Sequence, residues 1–230
     1  MSSNTQWPAH FFRDAPLEAH QRKRHKAVLK AVRSLPQGAV LDYGCGVGDI
    51  SWAIHKTHPD VQGTDVDASR IDFARSQYPE LTFSVCRPEG LDFPDQSFDI
   101  VVSSVVLPFV PDEAEYLAGI RRVLKPNGYM VMSTKVCPLV RQLWHRMKGQ
   151  PELSRRPDGV GLRSHIESDI VRLLDEGGFD LKSRSGFYDP PFESRKNIAD
   201  LVNGAIQLMG EPLGVVSTAP YLLTVSQKRG

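Results

Sequence analysis

Short apolar runs alternate with segments of helical period along most of this chain, and that alternation leaves few folds open. Apolar runs occupy residues 39–42, 61–65, 81–86, 98–103, 129–133, 179–187 and 221–226. Helix-period segments fall at 17–35, 48–56, 68–78, 112–124 and 166–176, with further helix-like stretches at 139–147 and 193–209. Ile100, Val101 and Val102 stand in a row, as in a strand buried on both faces. Lys125-Pro126-Asn127-Gly128 reads as a turn, because Pro fixes φ while Asn and Gly tolerate positive φ. The pattern predicts a parallel sheet with helices on both faces. No linker or repeat divides the 230 residues, so one domain over 1–230 is expected.

The informative segment is Val40-Leu41-Asp42-Tyr43-Gly44-Cys45-Gly46-Val47-Gly48-Asp49, where a strand runs into a helix. Glycines there let backbone approach a ligand, and the helix start favours a negative group. A tight turn without any ligand would use the same residues. Asp65 ends the second strand about twenty residues on, where a carboxylate can accept from both ribose hydroxyls. It could equally be the acid of the next helix start, given Asp67-Ala68-Ser69. Asp42 could neutralise a ligand cation or serve only the turn. The loop suits a dinucleotide or S-adenosylmethionine. A dinucleotide loop reads G-x-G-x-x-G, and Asp49 at the last position would set like charge against a pyrophosphate.

The spacing G-x-G-x-G with a preceding acid resembles motif I of the class I S-adenosylmethionine-dependent methyltransferases. The resemblance runs over roughly residues 36–187. Gly63-Thr64-Asp65 is similar to the strand-2 acid segment of that family. Leu91-Asp92-Phe93-Pro94-Asp95-Gln96-Ser97-Phe98-Asp99 is similar to its approach to strand 4, and Leu107-Pro108-Phe109-Val110-Pro111-Asp112 to the loop after it. Arg121-Arg122-Val123-Leu124-Lys125-Pro126-Asn127-Gly128 and Gly178-Phe179 are similar to later motifs. The resemblance implies an α/β, Rossmann-like seven-stranded mostly parallel sheet with helices on both faces, in the order 3-2-1-4-5-7-6, the last strand antiparallel. It divides the chain into an N-terminal lid or helix (1–35), a cofactor-binding half (36–135) and substrate-side inserts (136–165 and 188–219).

It also implies roles. Backbone at Gly44, Cys45, Gly46 and Gly48 would lie along the methionine part of S-adenosyl-L-methionine, and the product would be S-adenosyl-L-homocysteine. Asp42 would serve the amino group, Asp65 the ribose, and Ser103, just past strand 4, would offer its carbonyl. Val66 belongs to the same cofactor set. The family often carries an Asp-Ala pair after strand 3 to read adenine, whereas Arg87-Pro88 stands here. Arg cannot accept a hydrogen bond and Pro has no N–H, so Glu89 or the Glu89 and Gly90 amides would take that task.

Lys and Arg number 28 against 27 Asp and Glu, a net charge of +1 that gives no pull toward nucleic acid or an anionic membrane. Asp189-Pro190-Pro191-Phe192 matches a tetrapeptide of nucleic-acid amino methyltransferases but falls after strand 6 instead of strand 4. The basic run Arg22-Lys23-Arg24-His25-Lys26 reads as the solvated face of a helix. No apolar run approaches the ~20 residues of a membrane span. Cys45, Cys86 and Cys137 form neither a zinc pattern nor a disulfide framework. The expected partner is therefore a small-molecule acceptor, with no nucleic acid, no metal and no stable membrane insertion, in a cytoplasmic monomer or homodimer. No general base is evident. His165 before the fifth helix is the candidate, with a surface helix-start residue as the plain alternative; His10, His20 and His25 read as surface. Phe109 stands where relatives often carry His. Trp144, Met147, Phe187, Tyr188, Phe192, Leu201, Ile206, Leu208 and Met209 would cap an apolar pocket or simply fill core, and an aromatic or lipid-like acceptor is expected if they line a site. A non-catalytic or regulatory member of the fold is the alternative.

Overall fold

The computed structural model describes residues 19–87, 90–136, 154–155, 161–162, 165–187 and 221–230. Its helices are α1 (Ala19–Arg33), α2 (Asp49–His55), α3 (Ala68–Gln77), α4 (Glu113–Val123) and α5 (Glu167–Glu176). The strands are β1 (Val40–Tyr43), β2 (Val61–Asp65), β3 (Thr82–Val85), β4 (Phe98–Ser104), β5 (Leu124–Lys135), β6 (Ser154–Arg155), β7 (Gly161–Leu162), β8 (Phe179–Phe187) and β9 (Tyr221–Lys228). The stretches 137–153 and 188–220, and with them most of both expected inserts and the Asp189–Phe192 match, lie outside the described residues.

Seven strands form one sheet in the order β3-β2-β1-β4-β5-β9-β8. With the separate β6–β7 hairpin set aside, that is the expected order. The first five strands pair in parallel, and β9 runs antiparallel to both β5 and β8. Alternation along the central strands explains the layers. Val40, Ile100, Val102 and Val131 face Val28 and Val32 of α1 and Ile50 and Ile54 of α2. Leu41, Tyr43, Val101, Met130 and Met132 face α4 and α5 through Tyr116, Leu117, Ile120, Ile170 and Leu174. The central strands are thus dry on both sides, which is why they read as unbroken apolar runs.

The expected turn at Lys125–Gly128 does not break the chain into helix, turn and strand. β5 already begins at Leu124, opposite Phe98, and resumes pairing at Ile100↔Tyr129. The intervening residues bulge across from Asp99, with Asn127 at φ +62°. Asp99 Oδ2 pins the bulge by accepting from Lys125 Nζ at 2.7 Å and from the Ala39 amide at 2.8 Å. Proline and positive φ are features that a bulge shares with a turn, so the residues alone do not separate the two.

Candidate functional site: the carboxyl rim of the sheet

β1 delivers the chain to the rim at Tyr43, and three glycines in the left-handed region carry it into α2: Gly44 (φ +78°), Gly46 (φ +56°) and Gly48 (φ +88°). The loop is stitched to β2. The Gly44 and Cys45 amides both donate to the Thr64 carbonyl, at 2.7 and 3.0 Å. The Gly46 amide donates to Asp65 Oδ2 at 2.9 Å. Space, as well as φ, explains two of the glycines. A Cβ on Gly44 would collide with Val106 Cγ2, and one on Gly48 would stand 2.8 Å from Phe83 Cζ. A Cβ on Gly46 would meet no atom within 4 Å, so this stretch of backbone borders open space.

Asp65 is buried at the end of β2, and its other oxygen, Oδ1, accepts from the Asp67 amide at 3.0 Å. Asp67, not Asp65, caps α3, accepting from the Ser69 and Arg70 amides. That removes the helix-cap reading of Asp65 and leaves its carboxylate fixed beside the glycine loop. Val66, the next residue, is 55% exposed. Asp49 accepts from the Tyr78 hydroxyl at 2.8 Å, so the acid at the last loop position is anchored in place.

Asp42 is buried to 1% exposure on the opposite side of β1 from Tyr43. Its Oδ2 accepts from Ser51 Oγ at 2.6 Å, while Oδ1 is buried with no partner among the described residues. Burial pushes the Asp42 carboxyl up to about 7, opposed by the Ser51 hydrogen bond and reinforced by the charge of Asp65. An unpaired buried carboxylate oxygen is expensive, and a cationic group is its natural partner. The Cys45 side chain packs with Ile71, Ala74 and Phe83, and burial drives its thiol well above the ordinary range. Only the Cys45 backbone can therefore serve a ligand.

Ser103 does not lie past strand 4. It is fully buried inside β4 opposite Met132, and its Oγ accepts from the Tyr116 hydroxyl at 2.5 Å. The strand continues one residue further because Ser104 pairs with Ser133, and Val105 then leaves at φ +60°, a strained value for a β-branched residue. Arg87 is exposed, with Nη2 3.3 Å from Asp92 Oδ2. Glu89 and Pro88 lie outside the described residues. His10 and the His20 side chain do too.

His165 is not a surface helix-start residue. It is 8% exposed, bridges in parallel to Val136 just beyond β5, and its Nε2 lies 2.7 Å from Glu113 Oε1. His25 sits on α1, where burial and then Arg24 pull it down to about 4. Ser51, Tyr78 and Glu113 were not foreseen as partners. Ser51 lies within α2, Tyr78 directly after the end of α3 and Glu113 at the start of α4, and nothing local in the sequence signals the contacts.

A groove of about 520 Å³ lies between α4 and α5 near Gln96 and Lys228. It opens at the amino ends of the parallel strands, away from the glycine loop, and its Lys228 is committed to the Leu124 carbonyl at 2.6 Å. In open α/β sheets ligands bind beyond the carboxyl ends of the strands, so the rim described above is the candidate site.

A glycine loop after β1, a carboxylate closing β2 and an antiparallel β9 inside an otherwise parallel sheet define the methyltransferase form of the Rossmann-like fold. The comparisons agree. Residues 41–132 match the family described as "Methyltransferase domain". A probable S-adenosylmethionine-dependent methyltransferase of Mycobacterium tuberculosis is 30% identical over 211 residues, which is 90% of this chain and 72% of that protein. The chain belongs to the S-adenosylmethionine-dependent methyltransferases. A ubiquinone/menaquinone biosynthesis C-methyltransferase of Desulfotalea psychrophila is 36% identical over 115 residues, 48% of this chain and 46% of that protein. Against three of the curated relatives it matches, the chain spans only 62%, 46% and 33% of their length. The solved structure of an S-adenosylmethionine-dependent methyltransferase from Mesorhizobium loti shares the fold at TM-score 0.63 and 22% identity, over 89% of this chain and 98% of that one. Among the described residues no helix is long and apolar enough to cross a membrane, and no group of His, Cys, Asp and Glu is placed to hold a metal ion.

Proposed function

We propose that this protein, as one domain, transfers a methyl group from S-adenosyl-L-methionine to a small apolar acceptor of aromatic or lipid-like character. The observation that carries the cofactor half is the unpaired Asp42 Oδ1, buried at the rim where Gly46 borders open space. The group fits the residues. Asp42 would face the amino group, the glycine backbone would run along the methionine chain, and Asp65 would accept from the ribose hydroxyls. Val66 would lie against the adenine side. The bound cofactor supplies an already activated methyl, so the protein's task is placement, worth ~7–11 kcal/mol of barrier in well-oriented reactions.

The acceptor half rests on two supports. Phe109, on the turn Leu107–Phe109 after β4, is 48% exposed at this rim. One relative, the Desulfotalea C-methyltransferase, is named for ubiquinone/menaquinone biosynthesis, and another, of Synechocystis, is named a 2-methyl-6-phytyl-1,4-hydroquinone methyltransferase. Calorimetric titration with S-adenosylmethionine and S-adenosylhomocysteine tests the reading. Wild type should bind both at micromolar concentration, and Asp65→Ala should lose at least tenfold. Failure of wild type to bind either ligand would favour a non-catalytic member of the fold.

A further inference from the structure

The acceptor side of the rim holds a polar pair that cofactor binding does not use. Glu113 opens α4, directly after its cap Asp112, and so stands where the chain returns from the carboxyl end of β4. His165 is held beside Val136, the residue after β5. The pair therefore lies over the ends of β4 and β5. Asp65 and Asp42 belong to β2 and β1, on the other side of β4 in the sheet order. A ligand strung from Asp65 to Asp42 leaves the β4–β5 side as the direction from which an acceptor can approach. Neighbouring strands are ~4.8 Å apart, which puts β5 about 10 Å from β1, a separation that a reacting ring can bridge.

The chemistry of the pair is specific. Glu113 Oε1 lies 2.7 Å from His165 Nε2. A carboxylate only accepts, so Nε2 carries the ring proton and Nδ1 of the neutral ring is a bare lone pair. That Nδ1 is buried and has no hydrogen-bond partner among the described residues. A core histidine kept for packing would normally have both nitrogens satisfied. Here one nitrogen is fixed by a carboxylate and the other is held ready without a donor. This is the arrangement in which a carboxylate orients an imidazole and stabilises its protonated form.

We propose that His165 is the base that takes the hydroxyl proton of the acceptor at Nδ1, and that Glu113 is the positioning residue that fixes the ring. This rests on the methyl-transfer reading above. The acceptor O–H bond breaks, its electron pair stays on oxygen, and the proton forms a bond to Nδ1. The resulting imidazolium donates through Nε2 to Glu113, and the oxygen becomes the nucleophile. Among the described residues the charged group in contact with the imidazole is Glu113. The site accordingly favours a phenolic or hydroquinone hydroxyl, acidic enough for a histidine to remove its proton.

Two measurements test this. The ¹⁵N spectrum of His165 in wild type should show the proton on Nε2 and a bare Nδ1. Glu113→Gln should lower the pH at which the ring takes its second proton. A proton on Nδ1 overturns the proposal regardless of any cofactor. The second measurement follows labelled methyl from S-adenosylmethionine to 2-methyl-1,4-naphthohydroquinone, with cofactor affinity read by calorimetry on each variant. His165→Gln should keep its affinity within threefold, lose at least 100-fold in kcat, and lose the rise of kcat with pH. Glu113→Gln should retain an intermediate rate, with the rising limb displaced to lower pH. Wild-type transfer in His165→Gln with intact affinity overturns the proposal. Absence of cofactor binding in wild type defeats the methyl-transfer reading instead, and the tautomer then decides the role of the pair alone.

Discussion

Asp42→Asn removes a titratable group from a fully buried position while preserving its shape. In the folded protein burial holds the Asp42 carboxyl at about 7, against an ordinary 3.8. The native state therefore binds this proton more tightly than the unfolded chain does. Stability from this group is fully present in acid, is lost progressively as pH rises from the ordinary carboxylate range through about 7, and levels off above that. About three pKa units correspond to about 4 kcal/mol. The Asn variant has no such limb. Urea unfolding of both proteins at pH 5, 6, 7 and 8 should show the difference in unfolding free energy moving toward the variant by roughly 2–3 kcal/mol across that range. All other titrating groups cancel in the difference. A difference that stays flat within about 0.5 kcal/mol refutes the reasoning. The proposed function adds a second signature. The Asn variant should bind S-adenosylhomocysteine at least tenfold more weakly, because it has given up the partner of the ligand's ammonium group.

Gly44→Ala and Gly46→Ala should separate packing from ligand approach. Both impose positive φ on a side chain, at roughly 1–2 kcal/mol, but Gly44→Ala also drives its Cβ into Val106. Thermal unfolding should show Gly44→Ala as clearly the less stable, while calorimetry should show that Gly46→Ala loses cofactor affinity with its fold retained. Tyr116→Phe removes the hydroxyl that bonds Ser103 Oγ in the core between β4 and α4. It should lower stability by about 0.5–1.5 kcal/mol in urea and leave cofactor affinity unchanged.

Most of the sheet was legible in the sequence because its signals are local. The run Ile100–Val102 marks a doubly buried strand, and Gly44, Gly46 and Gly48 occupy positions whose φ only glycine adopts readily. Asp42 and Asp65 could be placed at strand ends for the same reason. Their states could not. The unpaired oxygen of Asp42 depends on Ser51 and on complete burial, both set by how α2 packs on β1. Ser103 was misplaced because the end of β4 is fixed by its ladder to β5, a partner some thirty residues away. His165 illustrates the limit most plainly. Its neighbours in sequence suggest an exposed helix start, whereas Glu113, contributed by another helix, and Val136, beyond β5, place it in the interior.

The position of β9 has a consequence for how the chain acquires its shape. β9 is the last described strand in sequence, yet it is threaded between β5 and β8. While the polypeptide emerges from the ribosome, β1 to β5 can zip together in order, but β8 has no partner until residues 221–228 arrive. Until then both β5 and β8 present open edges, which are templates for pairing with other chains. The glycine loop and its acids all precede this point, so a nascent chain could hold its cofactor before the sheet is complete. A polypeptide cut short before Tyr221 would keep the binding motifs and lose the strand that seals them, and its expected fate is aggregation.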